Sequence, residues 1–194
     1  MVHYAAGILP VTRRDDGTRV YLVGRDVRDS LWSDFGGKAE KSDRFCPLTT
    51  ATREFHEETY GCVADARALR QRLFPGNCLL LRSRTQNGHP YFMFVVEVPH
   101  MPHLRSCFHK VLGFLRSKNL QKLYVEKTDV RWVDWATLHS PAFAKRTVFS
   151  ATLAAHHDTL ARIAAGESWR DLCADLADEF THLGSARSTP STVF

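Results

Sequence analysis

The chain has 194 residues, 44% of them hydrophobic and 24% charged, enough to build one sizeable core and unlike a disordered or fibrous protein. Its formal net charge of +5 suits a polyanionic partner such as a nucleotide, an RNA or a polyphosphate, but the basic residues are dispersed, which argues against a nucleic-acid tail. Five cysteines without a CxxC pair fit reduced thiols in a cytoplasmic or nuclear compartment, and no apolar run approaches the roughly 18 residues of a membrane span.

Residues 3–12 and 18–25 are rich in β-branched and aromatic residues and flank the turn signal Arg13-Arg14-Asp15-Asp16-Gly17, which predicts a hairpin. Residues 30–46 carry glycine and charge without periodicity and predict a loop. A helix follows. Pro47 suits its first turn, Leu48, Ala51, Thr52, Phe55 and Thr59 recur at helical spacing, and Gly61 supplies a stop. Strands are predicted near 78–83 and over 91–98, with a turn at Gln86-Asn87-Gly88 between them. Residues 103–117 predict a helix with Leu104, Phe108, Leu112 and Leu115 as its apolar stripe. A short strand at 129–133 precedes helical segments near 135–139, 142–165 and 167–181, and the polar tail 184–194 is expected to be flexible. Strands and helices alternate without strict βαβ regularity, so the fold class expected is α/β, a mixed sheet flanked by helices.

The chemistry concentrates in Arg53-Glu54-Phe55-His56-Glu57-Glu58. On a helix Glu54 lies three and four residues before Glu57 and Glu58, so three carboxylates share a face and repel one another. A hard divalent cation reverses that repulsion, whereas a solvated acidic face merely tolerates it. Arg53, four residues before Glu57, can hold that carboxylate. The preceding Gly36-Gly37 allows close backbone approach to a ligand, and Lys38 can meet a phosphate.

These residues resemble the Nudix box, GX5EX7REUXEEXGU with U apolar. The chain carries Gly37, five residues, Asp43, and then REFHEE over 53–58. The approach Ala5-Ala6-Gly7, Leu22-Val23, Trp32 and Phe35–Glu40 is similar too, as is the downstream Glu126 with Val130–Val133 and Leu138, so the resemblance spans roughly residues 4–140. Asp43 departs from the box glutamate, two extra residues precede Arg53, and one precedes Gly61. The resemblance implies a Nudix-type α/β/α sandwich over 1–140, with a helical C-terminal extension, 141–183, packed on the same domain. It implies a Mg²⁺ cofactor (Mn²⁺ as alternative) on Glu57, Glu58, Glu54 and the Gly37 carbonyl. Glu54 would be a further ligand or the base, Arg53 would orient the glutamates, and Glu126, or else Glu97, would be the distal carboxylate. The implied activity is hydrolysis of a diphosphate linkage in a nucleoside diphosphate joined to another moiety. Capped RNA or a diphosphoinositol polyphosphate are alternative substrates, and a homodimer is possible.

Two other classes compete: a catalytically silent Nudix-like nucleotide- or RNA-binding module, and a basic RNA-binding domain with a steep salt dependence. Among the aromatics, Trp32, Phe35, Phe74 and Tyr124 are candidates to stack on a base, while Trp132 and Trp135 suit packing. Arg25, Arg28, Lys38 and Arg44 are candidate phosphate contacts. His100, His103, Cys107 and His109 fit no familiar zinc spacing and read as loop and helix surface, as does His156-His157.

Overall fold

The structure is a computed structural model that describes residues 3–64, 66–120 and 125–183. The hairpin forms as expected: β1 (Ala5–Arg13) and β2 (Arg19–Asp26) pair antiparallel, and Gly17 takes φ +85° in the turn between them. Only a residue without a Cβ adopts that angle freely. The stretch 30–46, expected as a loop, instead contains β3 (Trp32–Ser33), β4 (Phe35–Lys38) and a 3₁₀ turn at Lys41–Asp43. Its order comes from distant partners, because β4 pairs antiparallel with β1 from Ala5↔Lys38 to Ile8↔Phe35. Helix α1 (Pro47–Glu58) starts on Pro47 and buries Ala51, Thr52 and Phe55, and Gly61 (φ +67°) lies just past it.

Helix α2 (Ala66–Arg72) leads to β5 (Cys78–Arg84) and β6 (Pro90–Glu97), an antiparallel pair whose second strand runs parallel to β1. Helix α3 (Leu104–Ser117) buries Leu104, Phe108 and Leu112 of the stripe read from the sequence, whereas Leu115 is only partly buried. Strand β7 (Lys127–Asp134) pairs antiparallel with β2 and is longer than expected. The sheet order is thus β5-β6-β1-β2-β7, with β4 also on β1 and β3 also on β2.

Alternate residues of each strand face opposite layers, as the pleat requires. On one side Ala6, Ile8, Leu22, Leu80, Phe94 and Val130 pack with Phe55 and Phe108 from α1 and α3. On the other, Leu9, Val11, Tyr21, Leu79, Leu81 and Val95 meet Phe149, Leu153, Leu160, Ile163 and Leu172. These last belong to α5 (Thr147–Ala155), α6 (His157–Ala164) and α7 (Trp169–Asp175), which follow the short α4 (Trp135–His139). The C-terminal helices are therefore the second outer layer of the sandwich.

The expected segment 142–165 is divided. Trp32 N–H donates to Ala144 O and Arg146 N–H to Trp32 O, which draws the chain before α5 alongside β3. At His156 the helix breaks, and the imidazole lies 2.9 Å from the Arg82 carbonyl, so this histidine is tied to a strand rather than free on the surface. No described helix is long and apolar enough to cross a membrane. Tyr124 and the tail 184–194 fall outside the described residues.

Candidate active site

A cleft of about 740 Å³ opens where α1 meets β4, the loop before β7 and the start of α5. Its wall carries Glu54, Glu58, Glu126, Asp26 and Asp34 with Gly36 and Gly37, and its rim carries Arg28, Lys38, Lys41 and Arg146. The helix spacing read from the sequence explains the first pair, since Glu54 and Glu58 are one turn apart on the face of α1 that meets the sheet. Glu57 does not line the cleft; its carboxylate is half-exposed and accepts from Arg53 Nη1 at 3.0 Å.

Arg53 organises this end of the helix. Its Nε and Nη2 donate to the two oxygens of Asp43, both at 3.0 Å, and Nη2 also donates to Lys38 O. Asp43, the residue that breaks the box pattern, is almost fully buried and also accepts from Glu40 N–H and Thr50 Oγ1. Burial alone would raise its carboxyl, but the Arg53 contacts and these donors hold it below the usual carboxylate range. Asp43 is thus an anchor for Arg53, and the positional match to a box glutamate has this structural content.

Glu54 is held by no comparable set of donors. Burial pushes its carboxyl up to about 7 against the pull of adjacent Arg53, and Glu126 and Glu57 add to the rise. Glu58 is raised by burial too, opposed by Lys127, while Glu54 and Glu126 push it further up. Glu126 lines the same cleft, and its charge is felt by both helix carboxylates. Its backbone carbonyl accepts from Val27 N–H, which fixes the loop. Glu97, the other candidate, pairs with Arg19 and lies away from the cleft.

The two glycines serve different neighbours. A Cβ on Gly37 would stand 2.4 Å from Glu54 Oε1, so the missing side chain makes room for that carboxylate. A Cβ on Gly36 would stand 2.5 Å from Gly7 Cα, so Gly36 permits the approach of β4 to β1 rather than of a ligand.

Several candidates lie elsewhere. Trp32 is buried, stacked on Phe143 at 5.7 Å and covered by Arg131, so it has no face for a base. Phe35 is fully buried against Phe55. Phe74 is exposed but outside the cleft, as are Arg25, which donates to Ser30 O, and Arg44. His109 contacts Asp129, His100 meets Trp132 and Cys107 meets Cys62, so the histidine-rich stretch is divided among separate neighbours.

Sequence reading missed two cleft groups, Asp34 and Phe45, and the buried Lys127 behind Glu58. Asp34 is buried and accepts a short hydrogen bond from Tyr91 Oη; burial raises its carboxyl to about 6. Lys127 is buried beside Glu58. Phe45 is 61% exposed at the rim, and it and Arg44 hold left-handed φ of 57° and 52°, two consecutive strained positions that present the ring to solvent. Only Phe45 left a signal, an apolar residue inside an otherwise polar stretch.

No sequence-family model matches the chain, and no curated protein matches it in sequence. Solved structures match in shape. The C. elegans Ap4A hydrolase, in a binary complex, superposes with a TM-score of 0.53 at 13% identity, over 81% of this chain and 98% of its own. The chain has the Nudix fold. The C-terminal domain of mouse MUTYH, in a complex with human PCNA, also matches, with a TM-score of 0.50 at 12% identity over 86% of this chain and 93% of that one. A Nudix hydrolase from M. smegmatis, RenU, matches with a TM-score of 0.47 at 14% identity, over 84% of this chain and 88% of its own. A Nudix fold alone does not decide between chemistry and recognition; the side chains of the cleft must.

Those side chains fit a hard divalent cation in donor chemistry. Glu54, Glu58 and Glu126 offer only oxygen, and the repulsion between the buried Glu54 and Glu58, with the exposed Glu126 near them, is what a cation would relieve. Among the described residues, no three His, Cys, Asp or Glu side chains converge as a finished metal cage.

Proposed function

We propose that the chain is a metal-dependent Nudix hydrolase that cleaves the diphosphate linkage of a nucleoside diphosphate joined to another moiety. The observation that carries this reading is the placement of Glu54, Glu58 and Glu126 in one cleft beside Gly37. Mg²⁺, or Mn²⁺, held by these carboxylates and the Gly37 carbonyl would neutralise the diphosphate and acidify a bound water.

The chain's own residues supply the rest. Glu54, in the cleft wall and paired with Arg53, is the favoured base, with Glu126 as the alternative. Arg53, fixed by Asp43, holds Glu54 and Glu57 in place. Arg28, Lys38, Lys41 and Arg146 give the rim the charge to receive phosphates, and the exposed Phe45 ring offers a flat apolar face to a base.

The test is product formation from nucleoside diphosphate derivatives, dinucleoside polyphosphates, diphosphoinositols and capped RNA, with Mg²⁺, Mn²⁺ or EDTA. Turnover that needs metal and falls on the order of 10²-fold or more in Glu54→Gln and Glu126→Gln supports the reading. A silent recognition module is the second reading, favoured by the lack of a finished cage among the described residues. It predicts metal-independent binding of a panel member, retained in both variants, with no turnover.

A further inference from the structure

Two sulfur atoms meet outside the cleft. Cys107 Sγ lies 3.8 Å from Cys62 Sγ, although the residues stand 45 apart in the chain. Cys107 is exposed near the start of α3, and Cys62 is half-buried just past the end of α1. Of the other three cysteines, Cys78 and Cys173 are buried, and Cys46 stands at the opposite end of α1.

The seam between α1 and α3 holds the two thiols in register. Beyond α1 the chain folds back on the helix: Tyr60 N–H donates to Glu57 O, Gly61 N–H to His56 O and Cys62 N–H to Thr59 O. The Tyr60 ring stacks on Phe108 at 4.7 Å, and its hydroxyl donates to Lys127 O at 2.9 Å. Phe108 follows Cys107 directly, so the stacked rings fix the two cysteine backbones relative to each other. A disulfide needs its sulfurs about 2.05 Å apart, so closure asks for roughly 2 Å of motion shared by two side chains. Packing alone does not account for the contact, because a thiol is a weak donor and a weak acceptor.

We propose that Cys62 and Cys107 are an oxidative modification site, at which hydrogen peroxide converts the two thiols into a disulfide that staples the end of α1 to α3. Cys107, the exposed thiol, reacts first. Its thiolate attacks one peroxide oxygen, the O–O bond breaks, hydroxide leaves and a sulfenic acid forms. The Cys62 sulfur then attacks the Cys107 sulfur. The S–S bond forms, the S–O bond breaks, and the oxygen departs as water with the Cys62 thiol proton. Two thiols give up two electrons and one peroxide becomes two waters. Burial, with Cys107 adding to it, raises the Cys62 thiol to about 12, which suits the resolving partner and not the first nucleophile. The proposal does not depend on the metal-dependent reading above.

The experiment treats the full chain with hydrogen peroxide, alkylates the remaining thiols under denaturing conditions, and maps unreduced peptides by mass spectrometry. Cys62→Ser, Cys107→Ser and Cys46→Ser are run beside wild type. Wild type should go from five alkylatable thiols to three and yield a Cys62–Cys107 cross-linked peptide that dithiothreitol removes. Cys46→Ser should form the same link, whereas Cys62→Ser and Cys107→Ser should lose a thiol pair at least about tenfold more slowly. Closing a loop of this length restricts the unfolded chain, so the oxidised monomer should melt roughly 5 °C or more above the reduced one. A wild type that keeps all five thiols overturns the proposal, as does a link formed only between chains. So does Cys107 ending as a sulfinic acid while Cys62 stays alkylatable. Because Cys107 is exposed, Cys107→Ser decides the matter even where Cys62→Ser fails to fold.

Discussion

Gly36 and Gly37 are adjacent, and replacing each by alanine asks a different question of the molecule. At position 37 the added methyl meets the end of Glu54, a side chain that can swing aside. The fold should survive while the carboxylate leaves its place, and a displacement on the ångström scale costs on the order of 10²-fold in turnover. At position 36 the methyl meets the backbone of Gly7 and Ala6, which cannot yield without breaking the β1–β4 ladder. Gly36→Ala should therefore lose about 3 kcal/mol of stability. Urea unfolding and steady-state kinetics on the two variants separate the cases; equal loss of stability in both would refute this division of roles. Asp43→Ala belongs to the same scale. It strands Arg53 without its buried partner and should cost roughly 3 kcal/mol, with Arg53 no longer orienting Glu54 and Glu57.

Elements whose signal is local were legible in the sequence. The β1–β2 hairpin, α1 and the face of α3 that carries Leu104, Phe108 and Leu112 follow from turn chemistry and apolar period alone. The carboxylates of α1 were legible for the same reason, since helix geometry converts spacing into direction. Strands β3 and β4 were not: β4 pairs with β1, which no short window joins to it, and β3 is two residues long, too short to show an alternation. The place of Lys127 beside Glu58 depends on a sheet register between residues about a hundred apart, so nothing near Lys127 announces it. The C-terminal helices read as an extension because their apolar residues do not name the surface they cover. They cover one whole face of the sheet. A chain ended at residue 140 should expose Tyr21, Leu79, Leu81 and Val95 and fail to give a cooperative thermal transition. A sharp melt from that fragment would show that the first layer and the sheet suffice.

At the scale of the whole molecule, the cleft makes stability depend on pH. Asp34 and Glu54 are raised by burial to about 6 and about 7, above the ordinary values of 3.8 and 4.5 they regain on unfolding. The folded protein therefore binds protons that the unfolded chain releases, and unfolding becomes easier as pH rises. Their contribution is fully present below about pH 4 and is lost as pH climbs through 6 and 7, on the order of 3 kcal/mol for each group. In EDTA, the unfolding free energy should fall between pH 5 and 8. Asp34→Asn, which keeps an acceptor for Tyr91 and cannot ionise, should flatten the lower part of that fall. Added Mg²⁺ should act in the opposite sense, stabilising more as pH rises, because a cation favours the ionised form of Glu54. A stability curve in EDTA that stays level from pH 5 to 8, or a Mg²⁺ effect that shrinks with pH, would mean that the wall is already ionised without metal and that the protein, rather than an added ion, balances its charge.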